Sequence, residues 1–234
     1  MIGGSLALLK WRGLVLRLVA GLLWFSNAAL STPALVAQQG AVFQIEFTNA
    51  QLVPSHWKLK LNPDGSGQFD AEGGHLSEQD AKQIWAGDVH RPVQLSPAFT
   101  EQVFSTAHLR KLFAFPCESH MKVAFQGIKR LSYSGPEGTG ACEFNYSRDR
   151  QIEWLGNSLV AVEFTILSGA RMEKLLQHDR LGLDQELDTL MAAQQEGNAM
   201  EMGVIRETLT RIASDEQVMD RARKKALRLL THAG

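Results

Sequence analysis

The period of the apolar residues changes once along this chain, near residue 149, and few folds accommodate such a change. Before it, apolar and polar side chains alternate. Phe43, Ile45 and Phe47 are separated by Gln44 and Glu46, and Trp57, Leu59 and Leu61 by Lys58 and Lys60. Alternation places one set of side chains on one face of a strand. After it, Ile152, Leu155, Leu159, Val162 and Ile166 recur at intervals of three and four, the spacing of one helix face. Strands grouped ahead of helices define an α+β protein. We expect a small antiparallel β-sheet with one packed helix over residues 41–148, followed by a helical C-terminal region over 149–234.

Local signals place the elements. Asn62-Pro63-Asp64-Gly65 is a turn, because proline sets φ at the second position and glycine accepts a positive φ. Gln68-Phe69 begins the return strand, and Gly73-Gly74 breaks it. Ser96 is an N-cap with Pro97 in the first helical position, and that helix ends near Leu112. Val123 and Phe125 predict a strand turning at Gln126-Gly127. Lys129–Tyr133 is the next strand, 134–140 a connecting loop, and Cys142, Phe144 and Tyr146 a third strand, in meander order. One long helix covers 149–178, with Ser168-Gly169 as a kink or split. Asp184 caps a helix carrying Leu187, Leu190 and Met191, with Gly197 past its end. Met202, Ile205, Leu209 and Ile212 line another. Ser214-Asp215-Glu216-Gln217 is a capping box that opens the last helix.

The N-terminus reads as a signal peptide over residues 1–37. Lys10 and Arg12 precede an apolar stretch from Leu14 to Leu30, interrupted by Arg17, and no acid occurs before Glu46. Ser26-Asn27-Ala28, Thr32-Pro33-Ala34 and Leu35-Val36-Ala37 each place small residues suited to cleavage. The last leaves a polar start at Gln38. The alternative is an N-terminal membrane anchor, with Gly13–Ala37 spanning the bilayer and Arg17 snorkelling. After cleavage no membrane span remains. Taking Lys10, Arg12 and Arg17 from 24 basic residues leaves 21 against 25 acidic ones, a net charge of −4. That balance gives no overall attraction to nucleic acid. The expected location is extracytoplasmic, periplasmic or secreted.

Two cysteines, Cys117 and Cys142, follow the signal. In an oxidising compartment an isolated pair bridges. A simple meander would hold them two strand spacings apart, roughly 10 Å, beyond the reach of about 7 Å that a disulfide allows. The compartment outweighs that geometry, since the path of the chain before a strand is weakly specified, and we expect an intramolecular disulfide.

Three segments have a resemblance in common. Leu61-Asn62-Pro63-Asp64-Gly65, Cys117-Glu118-Ser119-His120, and Leu131-Ser132-Tyr133-Ser134-Gly135 leading to Cys142-Glu143-Phe144-Asn145-Tyr146 resemble uncharacterised families of exported bacterial proteins. The resemblance spans residues 57–147. It implies a sheet with a packed helix in an exported protein and carries no activity.

Several constellations were weighed for chemistry. Asn62, Asp64, Ser66, Gly67 and Asp70 follow the early positions of a calcium loop, but position 12 is Gly73 and Glu72 falls one place short. A hairpin turn is the better reading. Cys117-x-x-His120 has metal-ligand spacing, with Cys142 and Glu118 as further donors, yet an exported cysteine pair favours the disulfide. His75 near Glu72, Glu78 and Asp80 has the makings of acid–base chemistry and equally of a solvated loop. Gly135, Gly138 and Gly140 lack the lysine and following helix of a phosphate loop. Asn145-Tyr146-Ser147 matches an N-glycosylation acceptor. No catalytic residue, metal ligand or cofactor is assigned. The expected role is a non-catalytic binding or structural module of the cell envelope, its partner an envelope protein or peptide. The alternative is a hydrolase or metal-dependent enzyme whose site is assembled from residues distant in sequence.

The targeting reading has a direct check. N-terminal sequencing of the native protein is expected to give a start between Ala29 and Gln38. A full-length cytoplasmic product would contradict it.

Overall fold

A computed structural model describes residues 40–72 and 87–231. The signal region, and the segment with Gly73, Gly74, His75, Glu78 and Asp80, lie outside the described residues. The fold is α+β. Six strands form one antiparallel sheet: β1 (Val42–Thr48), β2 (His56–Leu61), β3 (Ser66–Glu72), β4 (Val89–Gln94), β5 (Ile128–Gly135) and β6 (Gly138–Phe144). Their spatial order is β4-β3-β2-β1-β5-β6. The first four are a meander, and the β5–β6 hairpin then returns to the other side of β1. The meander of three strands expected over residues 123–146 is corrected to this two-stranded hairpin.

Register converts the alternation of each strand into rows of side chains across the sheet. One row runs Val93, Gly67, Leu61, Phe43, Tyr133 and Gly140, and the next runs Arg91, Phe69, Leu59, Ile45, Leu131 and Cys142. The third is Val89, Ala71, Trp57, Phe47, Lys129 and Phe144. These rows form the buried face, with Phe43, Ile45, Leu59, Leu61, Phe69 and Leu131 all but inaccessible. Two cations sit among them. Arg91 reaches Glu173 at 2.7 Å, and Lys129 is only 2% exposed.

The opposite face is polar, and one of its rows alternates in charge: His90, Asp70, Lys58, Glu46, Arg130 and Glu143. From Asp70 to Glu143 each member faces an opposite charge on the adjoining strand, the arrangement that stabilises cross-strand pairs. His90 bonds Asp70 at 2.9 Å, and Arg130 pairs with Glu143.

Two helices cover the buried face. In α1 (Pro97–Leu109), Ser96 caps the start by accepting from the Phe99 N–H, and Phe99, Val103 and Ala107 face the core. α2 (Arg150–His178) begins at Asp149, whose carboxylate accepts from the N–H groups of Gln151 and Ile152. Its first five turns lay Ile152, Leu155, Leu159, Val162 and Ile166 on the sheet. Its last turns carry Met172, Leu175 and Leu176 into a second cluster with α3 (Leu183–Gln195), α4 (Arg206–Ser214) and α5 (Asp220–Thr231).

α2 runs unbroken through Ser168-Gly169, contrary to the expected kink. A Cβ at Gly169 would stand 2.3 Å from Ile205 Cγ2, so the glycine admits a close neighbour rather than bending the helix. Gly156 acts likewise against the sheet, where an added Cβ would lie 2.8 Å from Lys129 Cδ and 2.9 Å from Phe144 Cζ.

Three other expectations are corrected. Residues 114–127 form no strand, although Val123 and Phe125 alternate, because both edges of β5 are already taken by β1 and β6. The 134–140 loop is a tight hairpin in which Gly135 pairs with Gly138. The capping box does not form. Ser214 ends α4, Asp215 accepts from the Gln217 N–H at 2.9 Å, and α5 opens at Asp220. β4 had no counterpart in the sequence reading.

The charged row provides a stability test. Lys58→Glu would set like charges beside both Glu46 and Asp70, and is expected to cost about 1 kcal/mol, partly recovered at high salt. Chemical denaturation of the variant at low and high ionic strength checks this.

Candidate functional site

The segment after α1 shapes one side of the candidate site. Residues 114–127 turn back along the free edge of β6, where the Ser119 N–H donates to the Tyr146 carbonyl at 3.0 Å. Cys117 thereby meets Cys142 at disulfide distance, with Cα atoms 5.7 Å apart. The separation estimated for a plain meander does not apply, because the segment is not a strand. The metal reading of Cys117-Glu118-Ser119-His120 is replaced accordingly. Glu118 accepts from the N–H groups of Asn145 at 2.7 Å and His120 at 3.0 Å. These bonds, that of Asn145 foremost, hold its carboxyl below the usual range. No group of three or more His, Cys, Asp or Glu side chains converges as a metal site among the described residues.

Asn145 fastens the same segment. Its side chain accepts from the Gln126 N–H at 2.8 Å and donates to the Ala124 carbonyl at 3.1 Å. An amide engaged at both ends is a structural clasp, and this is its role in the Asn145-Tyr146-Ser147 triplet. Buried Asn49 adds a second clasp, donating to the Gln126 carbonyl at 3.1 Å. The segment weighed for calcium forms the expected hairpin turn. Asp64 accepts from the Ser66 N–H and hydroxyl, and Asp70 is taken by His90.

Between this fastened segment, the end of the sheet and α2 lies a cleft of about 430 Å³. Phe47 comes from β1, Leu52 from the β1–β2 connection, Gln126 from the end of the 114–127 segment, and Lys129 from the start of β5. Asn157, Val160, Ala161 and Phe164 come from α2 at spacings of three and four, and Glu163 lies beside them. Asn198, from the link after α3, completes the wall. That link is positioned by the end of α3, where Gly197 takes a φ of +78° and the Asn198 N–H returns to the Ala193 carbonyl at 2.7 Å.

Two ionisable groups in the cleft have shifted affinities for protons. The Lys129 stem packs on Gly156, and its ammonium lies 5.5 Å from the Phe144 ring centroid and donates to the Asn145 carbonyl at 3.3 Å. Burial lowers its pKa, while Glu153 and Glu118 oppose the shift. Glu163 makes no hydrogen bond or ion pair among the described residues. It is half-buried in the wall of the cleft. Burial raises its pKa to about 8, against a weaker pull from Arg171. Arg171 is itself engaged, donating to Glu186 at 2.9 Å and stacking on Phe164.

Sequence reading placed none of these lining residues in a site. They come from five separate stretches of chain, and only Lys129 had a signal: it is a cation on the apolar side of the alternation with Leu131 and Tyr133. No protein-family model matches this chain, and no curated protein is significantly similar to it.

The state of Glu163 fixes a pH effect. Below pH 4.5 the carboxyl is neutral in the folded and unfolded chain alike. Between 4.5 and about 8 the unfolded chain has released a proton that the folded chain keeps, so rising pH favours unfolding. Carbon NMR is expected to show one glutamate titrating near 8, and Glu163→Gln to abolish that signal and flatten the loss of stability over this range.

Proposed function

We propose that this chain is an extracytoplasmic, non-catalytic binding module of the cell envelope whose partner, an envelope protein or peptide, enters the cleft of Phe47, Leu52, Val160 and Phe164. The observation that carries this reading is the convergence in one open cleft of apolar walls, carboxamides and an unpaired carboxyl. Apolar surface with a few placed polar groups is how binding sites are built. The basic-then-apolar N-terminus, the resemblance of residues 57–147 to exported bacterial proteins, and the Cys117–Cys142 pair support the location. No helix among the described residues is long and apolar enough to cross a membrane.

The rim extends the apolar surface. Leu52, at 49% exposure, lines the cleft, and Met121, Val123 and Phe125 are exposed on the segment that ends at Gln126. Exposed apolar side chains grouped in this way mark interaction surfaces.

The apolar fluorophore N-phenyl-1-naphthylamine tests the reading. It is expected to brighten on binding the protein, and Val160→Trp, which fills the cleft from α2, to abolish the signal without changing the melting temperature. Ester or peptide hydrolysis lost in the same variant would assign the cleft to an enzyme instead.

A further inference from the structure

The unpaired carboxyl narrows what the cleft accepts. We propose that it receives a lysine side chain from an extended peptide, the ammonium seated on the Glu163 carboxylate and the stem against the apolar walls. The inference rests on the reading of the cleft as a binding site.

Charge complementarity identifies the cation. Lys129 lines the cleft, but its ammonium donates to the Asn145 carbonyl, and the acids acting on it are Glu153 and Glu118. Arg171 is held by Glu186 and Ser168. The charges nearest Glu163 therefore already have partners, and it has none among the described residues. An incoming ammonium supplies the missing partner in a site partly shielded from water, where a charge-assisted hydrogen bond is strongest. Phe47 and Phe164 offer the apolar surface on which a lysine stem packs.

The carboxamides identify the carrier. The Gln126 side chain and the side-chain oxygens of Asn157 and Asn198 make no hydrogen bond among the described residues, while the NH₂ groups of Asn157 and Asn198 are held by Glu153 and Glu196. Free carboxamide oxygens accept from N–H groups, and a free glutamine amide also donates to carbonyls. A peptide backbone presents both. The exposed Leu52 at the mouth offers a contact for an apolar flanking residue.

Proton linkage follows. At pH 7 most Glu163 carboxyls hold a proton that the ammonium displaces, so affinity rises with pH until the carboxyl is ionised at about 8 and above. Lys129 is the cation that lines the cleft with Glu163, and Arg171 acts on the carboxyl from the same helix.

Calorimetric titration of the mature protein tests this. The probes are acetyl-Leu-Lys-Leu-amide, the same peptide with norleucine or glutamate in place of lysine, and butylammonium alone. The lysine peptide is expected to bind about tenfold or more tighter than the norleucine peptide. Its affinity is expected to rise about tenfold from pH 7 to pH 9, and Glu163→Gln to remove both the preference and the pH dependence. The pH arm uses the unaltered protein, so it holds even if the variant folds poorly. Equal binding of lysine and norleucine peptides overturns the lysine inference while leaving the cleft as a binding site. Tighter binding of the glutamate peptide overturns it in favour of Lys129 as the anchor. Butylammonium binding as tightly as the lysine peptide overturns the peptide carrier. Failure of every probe to bind or to displace N-phenyl-1-naphthylamine overturns it, and if the fluorophore itself does not bind, the reading of the cleft falls too.

Discussion

The contact of α2 with the sheet decides where everything else lies. Ile152, Leu155, Leu159, Val162 and Ile166 cover the rows centred on Phe43, Ile45 and Phe47. Apolar burial of this extent is the main favourable term in folding. Because α2 is 29 residues long, it outruns the sheet and offers its far end to α3, α4 and α5. The two apolar clusters are thus joined through one rod. A second tie crosses between them: Glu201, ahead of α4, accepts from the Ser96 N–H at 2.6 Å and its hydroxyl at 2.8 Å. A carboxylate at that point also complements the positive end of α1.

The same contact creates the cleft and its charges. Gly156 lets α2 approach the sheet closely where Lys129 and Phe144 lie beneath it. Over the next two turns Asn157, Val160 and Phe164 stand beside the fastened 114–127 segment, and the gap between them is the cleft. Lys129 is tolerated in the core face because its stem fills space and its ammonium finds a carbonyl and two nearby carboxylates. Glu163 has no such compensation, and the loss of solvent around it raises its pKa to about 8. The two side chains share a cleft without pairing, and that leaves the carboxyl available.

Legibility in the sequence followed how locally each feature is determined. β1, β2, the Asn62–Gly65 turn and the Ser96-Pro97 helix start depend on neighbours within a few residues, and all are in place. β4 reads Val-His-Arg-Pro-Val-Gln, and its proline and polar content hide a strand that edge position makes acceptable. Met121, Val123 and Phe125 present the opposite case, an alternating pattern that forms no strand. The capping box failed because α4 already occupied Ser214. The cleft was illegible for a different reason. Asn198, Gln126 and Phe47 are brought together by the return of β5 to β1 and by the end of α3, and no spacing along the chain encodes that meeting.

The central claim is that α2 unites the sheet and the helical cluster into one cooperative structure. Differential scanning calorimetry of the protein tests it most directly. The account requires a single transition whose calorimetric and van't Hoff enthalpies agree. Two resolved transitions, one assignable to the sheet and one to the helices, would contradict it.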